Sequence, residues 1–448
     1  MNRRLLYNAL IVTDGRAFKG YVEIEGDRIK SVLEGDVPEK LLMQYAREER
    51  ENLSGKWILP GVIDDQVHFR EPGATHKADI ESESRAAAAG GVTSYMDMPN
   101  TDPQTVTLEA WSDKMNLAKG KSHVNYSFFL GATNSNIDQL MMRDRRRVPG
   151  IKVFLGSSTG NMLVDNEKTL DEIFKLDSLI AVHSENEMII RDNIDVFKAR
   201  YGDDVPVECH PLIRSREACV SSTEAAVKRA EGHGTKLHVF HLSTAEEVEI
   251  LRKNGSCGKI TGEVCVHHLW FDDRYYKTLG TKVKCNPAIK TLKDRNALRS
   301  GLRDGVITVV ATDHAPHLLR EKEGGALNAA SGLPLVQFSL QAMIELSMAG
   351  EWEITDVVRW MCHNPAELYG IKGRGYLRPG YFADIVVVNP DMPYEVKTEK
   401  IESKCGWSPF EGHVFPVSIE STYVNGKPVW YHGKIDRDVL GMSLEFLA

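Results

Sequence analysis

Four residues of this chain are suited to holding a metal, and they fall at equivalent places along it. His68, His183 and His241 each follow a short apolar run, and Asp313 follows another. Neutral imidazoles with a carboxylate suit zinc, and a catalytic site of that kind keeps one coordination position open for water. A lone histidine after a strand is ordinarily structural. Three of them plus an aspartate, all in the same kind of position, are not independent accidents. Further polar residues sit at similar points: Arg70 in HFREPG, Asn100 in MDMPNT, and His314 and His317 in ATDHAPH. His314 directly follows Asp313 and His238 lies three residues before His241, so on a strand each points away from its neighbour and reads as packing. His267 and His268, in EVCVHHLWF, either line a loop or pack as buried polar groups. His76, His123, His210, His233, His363, His413 and His432 lack strand-end context and read as structural.

Lys152 lies within another apolar run, IKVFLGSSTG. An ammonium has no lone pair and cannot ligate a metal. Burial beside cations depresses a lysine pKa and favours the neutral amine. That amine can take up carbon dioxide to form a carbamate, an anion able to bridge two metal ions. The spacing alone favours the plainer alternative, a lysine paired with a nearby carboxylate.

Chemistry at these points needs elements to aim it. WILPGVID is followed by apolar runs at Thr93–Met98, Asn125–Leu130, Ile151–Leu155, Leu179–Val182, Leu237–Phe240, Lys259–Val266 and Ile307–Thr312. Helix-like segments such as SESRAAAAGG, SSTEAAVKRAEG and AEEVEILRKNG lie between several of them, the latter two ending near glycine. Repeated strand–helix alternation predicts parallel strands, and eight of them favour a closed (β/α)8 TIM-like barrel over a doubly wound sheet. No glycine-rich dinucleotide or phosphate-loop fingerprint follows any strand. In such a barrel the functional residues lie at the C-terminal strand ends, where the residues above fall. Both ends of the chain read as strands and turns: YVEIEGDRI alternates with period two, and TYVNGKPVWYHGK carries the hairpin signal Asn425-Gly426. We therefore expect a barrel over residues 57–372 and one β-domain built from residues 1–56 and 373–448.

The bulk properties agree with a soluble enzyme. The 448 residues carry a net charge of −8, which leaves no basic footprint for nucleic acid. No stretch approaches the length of a membrane span. The start, MNRRLLYNALIVTDGR, reads as a strand and not as a signal peptide. Cys209, Cys219, Cys257, Cys265, Cys285, Cys362 and Cys405 are scattered and odd in number, which points to reduced thiols and a cytoplasmic address.

In this order, the strand-end residues resemble those of the cyclic amidohydrolases: dihydroorotases, hydantoinases and allantoinases. The resemblance runs from about Leu5 to Lys427. HFREPG, MPNT (Met98–Thr101), KCNPAIKT (Lys284–Thr291), ATDHAPH and GLPL (Gly332–Leu335) together look like the dihydroorotase branch. The resemblance implies zinc, a carboxylated Lys152, and a β-sandwich formed by the two terminal segments beside the barrel. It also implies that His68, His183, His241 and Asp313 are metal ligands. One position departs from the pattern: the first strand of the family ends in His-x-His, and here the first of the pair is Gln66. The resemblance assigns Gln66, His68 and Asp313 to one metal, His183 and His241 to the other, and Lys152 to both. An amide oxygen is a poorer zinc donor than an imidazole nitrogen, so one tight and one weaker metal position are expected.

The implied reaction is the reversible, zinc-dependent hydrolysis of L-dihydroorotate to N-carbamoyl-L-aspartate, a step of pyrimidine synthesis. Asp313 would be the catalytic proton carrier. Arg70 would hold the substrate carboxylate, helped by Asn100 and His317. By resemblance, Asn286 and the backbone near Leu333 meet the pyrimidine ring. The segment Ser157–Gly160 is either a loop closing over substrate or an ordinary polar turn. The expected partner is a small-molecule substrate, with family habit implying a homodimer and neither nucleic acid nor membrane involved. An allantoinase or dihydropyrimidinase would keep the metal chemistry with less need of Arg70. A silent homologue serving a carbamoyltransferase would have no need of Lys152, His183, His241 and Asp313 together.

Overall fold

The computed structural model describes residues 3–156, 162–255 and 258–447; the Ser157–Gly160 segment lies outside them. The barrel strands are Val62–Val67, Val92–Asp97, Asn125–Phe128 with Leu130–Gly131, Ile151–Phe154, Leu179–His183, Lys236–Val239, Ile260–Cys265 and Val309–Ala311. Each pairs in parallel with its neighbour in the chain. The ring closes where Val67 bridges His314 and the His68 amide donates to the His314 carbonyl at 2.7 Å. These strands read as continuous apolar runs because both faces are covered: Ile151, Val153, Ile180 and Val182 are fully buried.

Local signals set the helices between them. Asp79 caps Ile80–Ala89 by accepting from Ser82 N, and the alanine-rich side of that helix is buried. Thr244 and Glu247 cap Ala245–Asn254 reciprocally. Arg216–His233 stops at Gly234, which takes the left-handed conformation at φ 71°. Among the described residues no helix is long and apolar enough to cross a membrane.

WILPGVID is not one strand. Trp57–Pro60 pairs with Arg3–Thr13 and Ile385–Asn389, whereas Val62–Val67 opens the barrel. The chain crosses between them at Gly61, where a Cβ would lie 2.0 Å from Thr93 Oγ1, so no larger residue fits. Strands from both ends of the chain join in one nine-stranded sheet. Its far edge returns on itself, with Ile29 N bonded to Tyr381 O and Ala383 N to Asp27 O, each at 2.9 Å. Leu6, Ile11, Val22, Ile58, Ile385 and Tyr423 pack in the core so enclosed. Asn425 and Gly426, at φ 51° and 76°, form the expected tight turn between Ser418–Val424 and Lys427–Tyr431.

A buried ion pair braces the first two barrel strands beneath the residues of interest. Lys114 Nζ lies 2.6 Å from Asp97 Oδ2, with both side chains 1% exposed. Asp97 Oδ1 also accepts from Phe69 N at 3.0 Å, between His68 and Arg70. Removing one member leaves an uncompensated buried charge, a loss of about 3–5 kcal/mol. Lys114→Ala is therefore expected to lower the thermal unfolding midpoint clearly. An unchanged midpoint would show that Asp97 finds another partner.

Candidate active site

The sequence-predicted residues meet at the C-terminal mouth of the barrel, around a cavity of about 290 Å³. Gln66, His68, Arg70, Asn100, Lys152, His183, His241, Asn286 and Asp313 all line it. Arg70, His241 and Asp313 have positive φ values of 65°, 40° and 46°. Non-glycine residues carry such strain mainly where a site demands it.

The donors gather in two groups. In the first, His68 Nδ1 lies 2.9 Å from Asn100 Oδ1 and His68 Nε2 lies 3.0 Å from Asp313 Oδ1. An amide oxygen can only accept, so Nδ1 carries the hydrogen and the Nε2 lone pair faces a carboxylate. Two acceptors at that separation call for a proton or a metal ion between them. In the second group, His183 Nδ1 lies 2.9 Å from His241 Nε2, and Glu185 Oε2 takes the other His183 nitrogen at 2.9 Å. The carboxylate holds the Nε2–H and leaves the Nδ1 lone pair for a ligand, the usual arrangement behind a metal-binding histidine. Among the described residues, His241 Nδ1 is buried with no partner. Burial pushes the pKa values of His183 and His241 down, so both imidazoles are neutral as ligation requires.

Lys152 stands in the fourth strand between these groups and is 1% exposed. Its amine lies over the Phe240 ring at 4.0 Å and the Phe154 ring at 4.9 Å. Among the described residues no carboxylate lies within ion-pair distance, so the paired-lysine alternative finds no partner. Burial pushes its pKa down to about 7, against the pull of Asp313 and Glu263. A large share of neutral amine is thus available at neutral pH. The donor set, the facing lone pairs and this amine fit a metal centre.

Two further expected contacts, His317 and Leu333, stand behind the residues that line the cavity. His317 stands behind Arg70, its Nε2 3.0 Å from Arg70 Nη2 and its Nδ1 3.2 Å from Lys77 Nζ. Burial, then the charges of Arg70, Lys77 and Lys322, hold this imidazole neutral. Leu333 is fully buried and its carbonyl accepts from Ala315 N at 2.9 Å, while Ser331, two residues before it, lines the cavity with Ala315. His314 is a strut: Nε2 meets Glu83 at 2.8 Å and Nδ1 accepts from Leu335 N at 2.9 Å. His238 joins a buried acidic network, 3.3 Å from Glu263 and 3.8 Å from Asp65.

Sequence reasoning missed Glu185 and Arg214. Burial opposes ionisation of Glu185, yet Arg214 and His183 outweigh it and hold its pKa down at about 2. The carboxylate is therefore a permanent anchor for His183. Its place two residues after that histidine was the available signal.

Fold and donors together define a metal-dependent hydrolase barrel. The chain belongs to the amidohydrolase family, which matches residues 57–429. It is 35% identical over 428 residues to the dihydroorotase of Halobacterium salinarum, covering 94% of this chain and 95% of that one. It is 32% identical over 389 residues to the allantoinase of Bacillus velezensis, covering 85% of each. The L-hydantoinase (dihydropyrimidinase) of Arthrobacter aurescens shares its fold with a TM-score of 0.90 at 24% identity, over 97% of this chain and 98% of that one.

Proposed function

We propose that the chain is a zinc-dependent dihydroorotase, opening and closing the L-dihydroorotate ring. Arg70 is the observation that carries this reading. Its guanidinium reaches the cavity beside His68 and Asp313, is held by Pro316 O at 3.1 Å, and has no carboxylate within ion-pair distance among the described residues. A partly buried arginine without a counter-ion suits a substrate that brings its own carboxylate.

Zinc, when bound, supplies the Lewis acidity that polarises a ring carbonyl and activates water near neutral pH. His183, His241 and Lys152, as its carbamate, would hold the tighter ion. His68, Asp313 and the Gln66 amide would hold a second more weakly. Asn100 fixes the His68 ring, and Glu185 with Arg214 fixes that of His183. Asp313 would take a proton from the attacking water and deliver it to the ring nitrogen as the amide C–N bond breaks. Arg70 would bind the carboxylate, with Asn286 available to the ring.

Turnover of L-dihydroorotate by metal-loaded protein, compared with allantoin and a neutral dihydropyrimidine, tests the assignment. Preference for dihydroorotate is expected; preference for allantoin would move the chain towards the second group of its relatives. Two further measurements test the metal centre. Intact-mass analysis under native conditions is expected to find carbon dioxide added at Lys152, and a bare lysine in metal-loaded, active protein would remove the carbamate. Zinc titration of apo-protein is expected to show a tight equivalent that His183→Asn or His241→Asn abolishes. Gln66→His is expected to tighten a weaker one.

A further inference from the structure

We propose that Cys265, His267 and His268 form a separate, thiolate-containing site for a soft divalent metal such as zinc, next to the Gln66 amide. The three residues occupy the turn where the seventh barrel strand, Ile260–Cys265, enters the short helix Val266–Trp270. One donor atom from each lies within 4.8 Å of the others, and all three side chains are at most 2% exposed. Gln66 Oε1 is 3.6 Å from Cys265 Sγ.

The histidines point to a ligand independently of this clustering. His268 Nε2 lies 3.1 Å from the Pro287 carbonyl and so carries the hydrogen. Its Nδ1 lone pair is left buried with no partner among the described residues. Among the described residues, His267 has no hydrogen-bond partner at either ring nitrogen; the Thr312 backbone approaches it without reaching hydrogen-bond geometry. Buried polar atoms left unmet in this way are costly, about 1–3 kcal/mol each, and ordinarily have an explanation. A thiolate with two neutral imidazoles is a donor set that selects zinc and similar ions. Binding a metal through Cys265 would release the thiol proton.

The site adjoins the one position where the chain departs from the His-x-His pattern. The proposal does not depend on which cyclic amide is the substrate.

Cobalt(II) titrated into the full-length apo-protein tests it, because only a thiolate ligand produces intense thiolate-to-cobalt charge-transfer absorption. Among the described residues, the side chains lining the cavity contain no sulfur. The charge-transfer band is expected to rise to one equivalent, to vanish in Cys265→Ser and to persist in Cys362→Ser. In His268→Gln the band is expected to remain while cobalt affinity falls more than about tenfold, the loss that follows even from removing a hydrogen-bond partner of a ligand. Saturating cobalt without such a band in the unmodified protein would overturn the proposal whether or not any variant folds. A band of full intensity in Cys265→Ser would do the same. Neither reading involves catalytic activity, so failure of the dihydroorotase assignment would leave this test intact.

Discussion

Asp313→Asn is expected to lower kcat for dihydroorotate by at least about 10²–10⁴-fold, the usual contribution of a positioned acid–base group. The substitution keeps the shape of the side chain and removes its capacity to take a proton. It also replaces the carboxylate that faces His68 Nε2 at 3.0 Å, which weakens any ion held between them. The loss should therefore exceed that of a pure proton carrier. Substrate binding should change little, since Arg70 and Asn286 are untouched. Stopped kinetics with intact binding, measured by calorimetry, is the expected combination. Near-normal turnover would show that another group moves the proton.

The next largest effect falls on specificity. Arg70→Lys is expected to raise KM for dihydroorotate by roughly 10- to 100-fold, from loss of a charge-assisted contact of about 1.5–3 kcal/mol. KM for a neutral cyclic imide should move far less. The geometry explains why lysine cannot substitute. Arg70 spends Nε on the Pro316 carbonyl at 3.1 Å and sets Nη2 beside His317 at 3.0 Å, leaving the rest of the fork for a ligand. A single ammonium cannot be anchored and present a planar pair of donors together. Comparable KM changes for the charged and neutral substrates would mean that Arg70 does not hold the carboxylate. The dihydropyrimidinase alternative would then gain.

The barrel was legible in the chain because its strands announce themselves locally. Continuous β-branched runs, capped helices such as Ala245–Asn254 and a stop at Gly234 are short-range signals that the fold leaves in place. The ligand candidates were legible for the same reason, since each strand end lies within a few residues of its own apolar run. Division of WILPGVID at Gly61 was not legible. A strand buried in the terminal sheet and one buried in the barrel have the same apolar composition, and the contact with Thr93 that divides them is remote in sequence.

What only the tertiary structure decided is the environment of each group. The sequence alone favoured a carboxylate partner for Lys152, yet the folded chain sets two aromatic rings beside its amine. Glu185 became an anchor because Arg214, 29 positions away, meets it. Gln66 acquired a thiol neighbour 199 positions along. Residue types and their spacing determined which atoms can bind a metal or carry a proton, because donor capacity belongs to the side chain itself. Which of those atoms are neutral, paired or left with a free lone pair depends on burial and on partners from other strands, and these exist only once the barrel has closed.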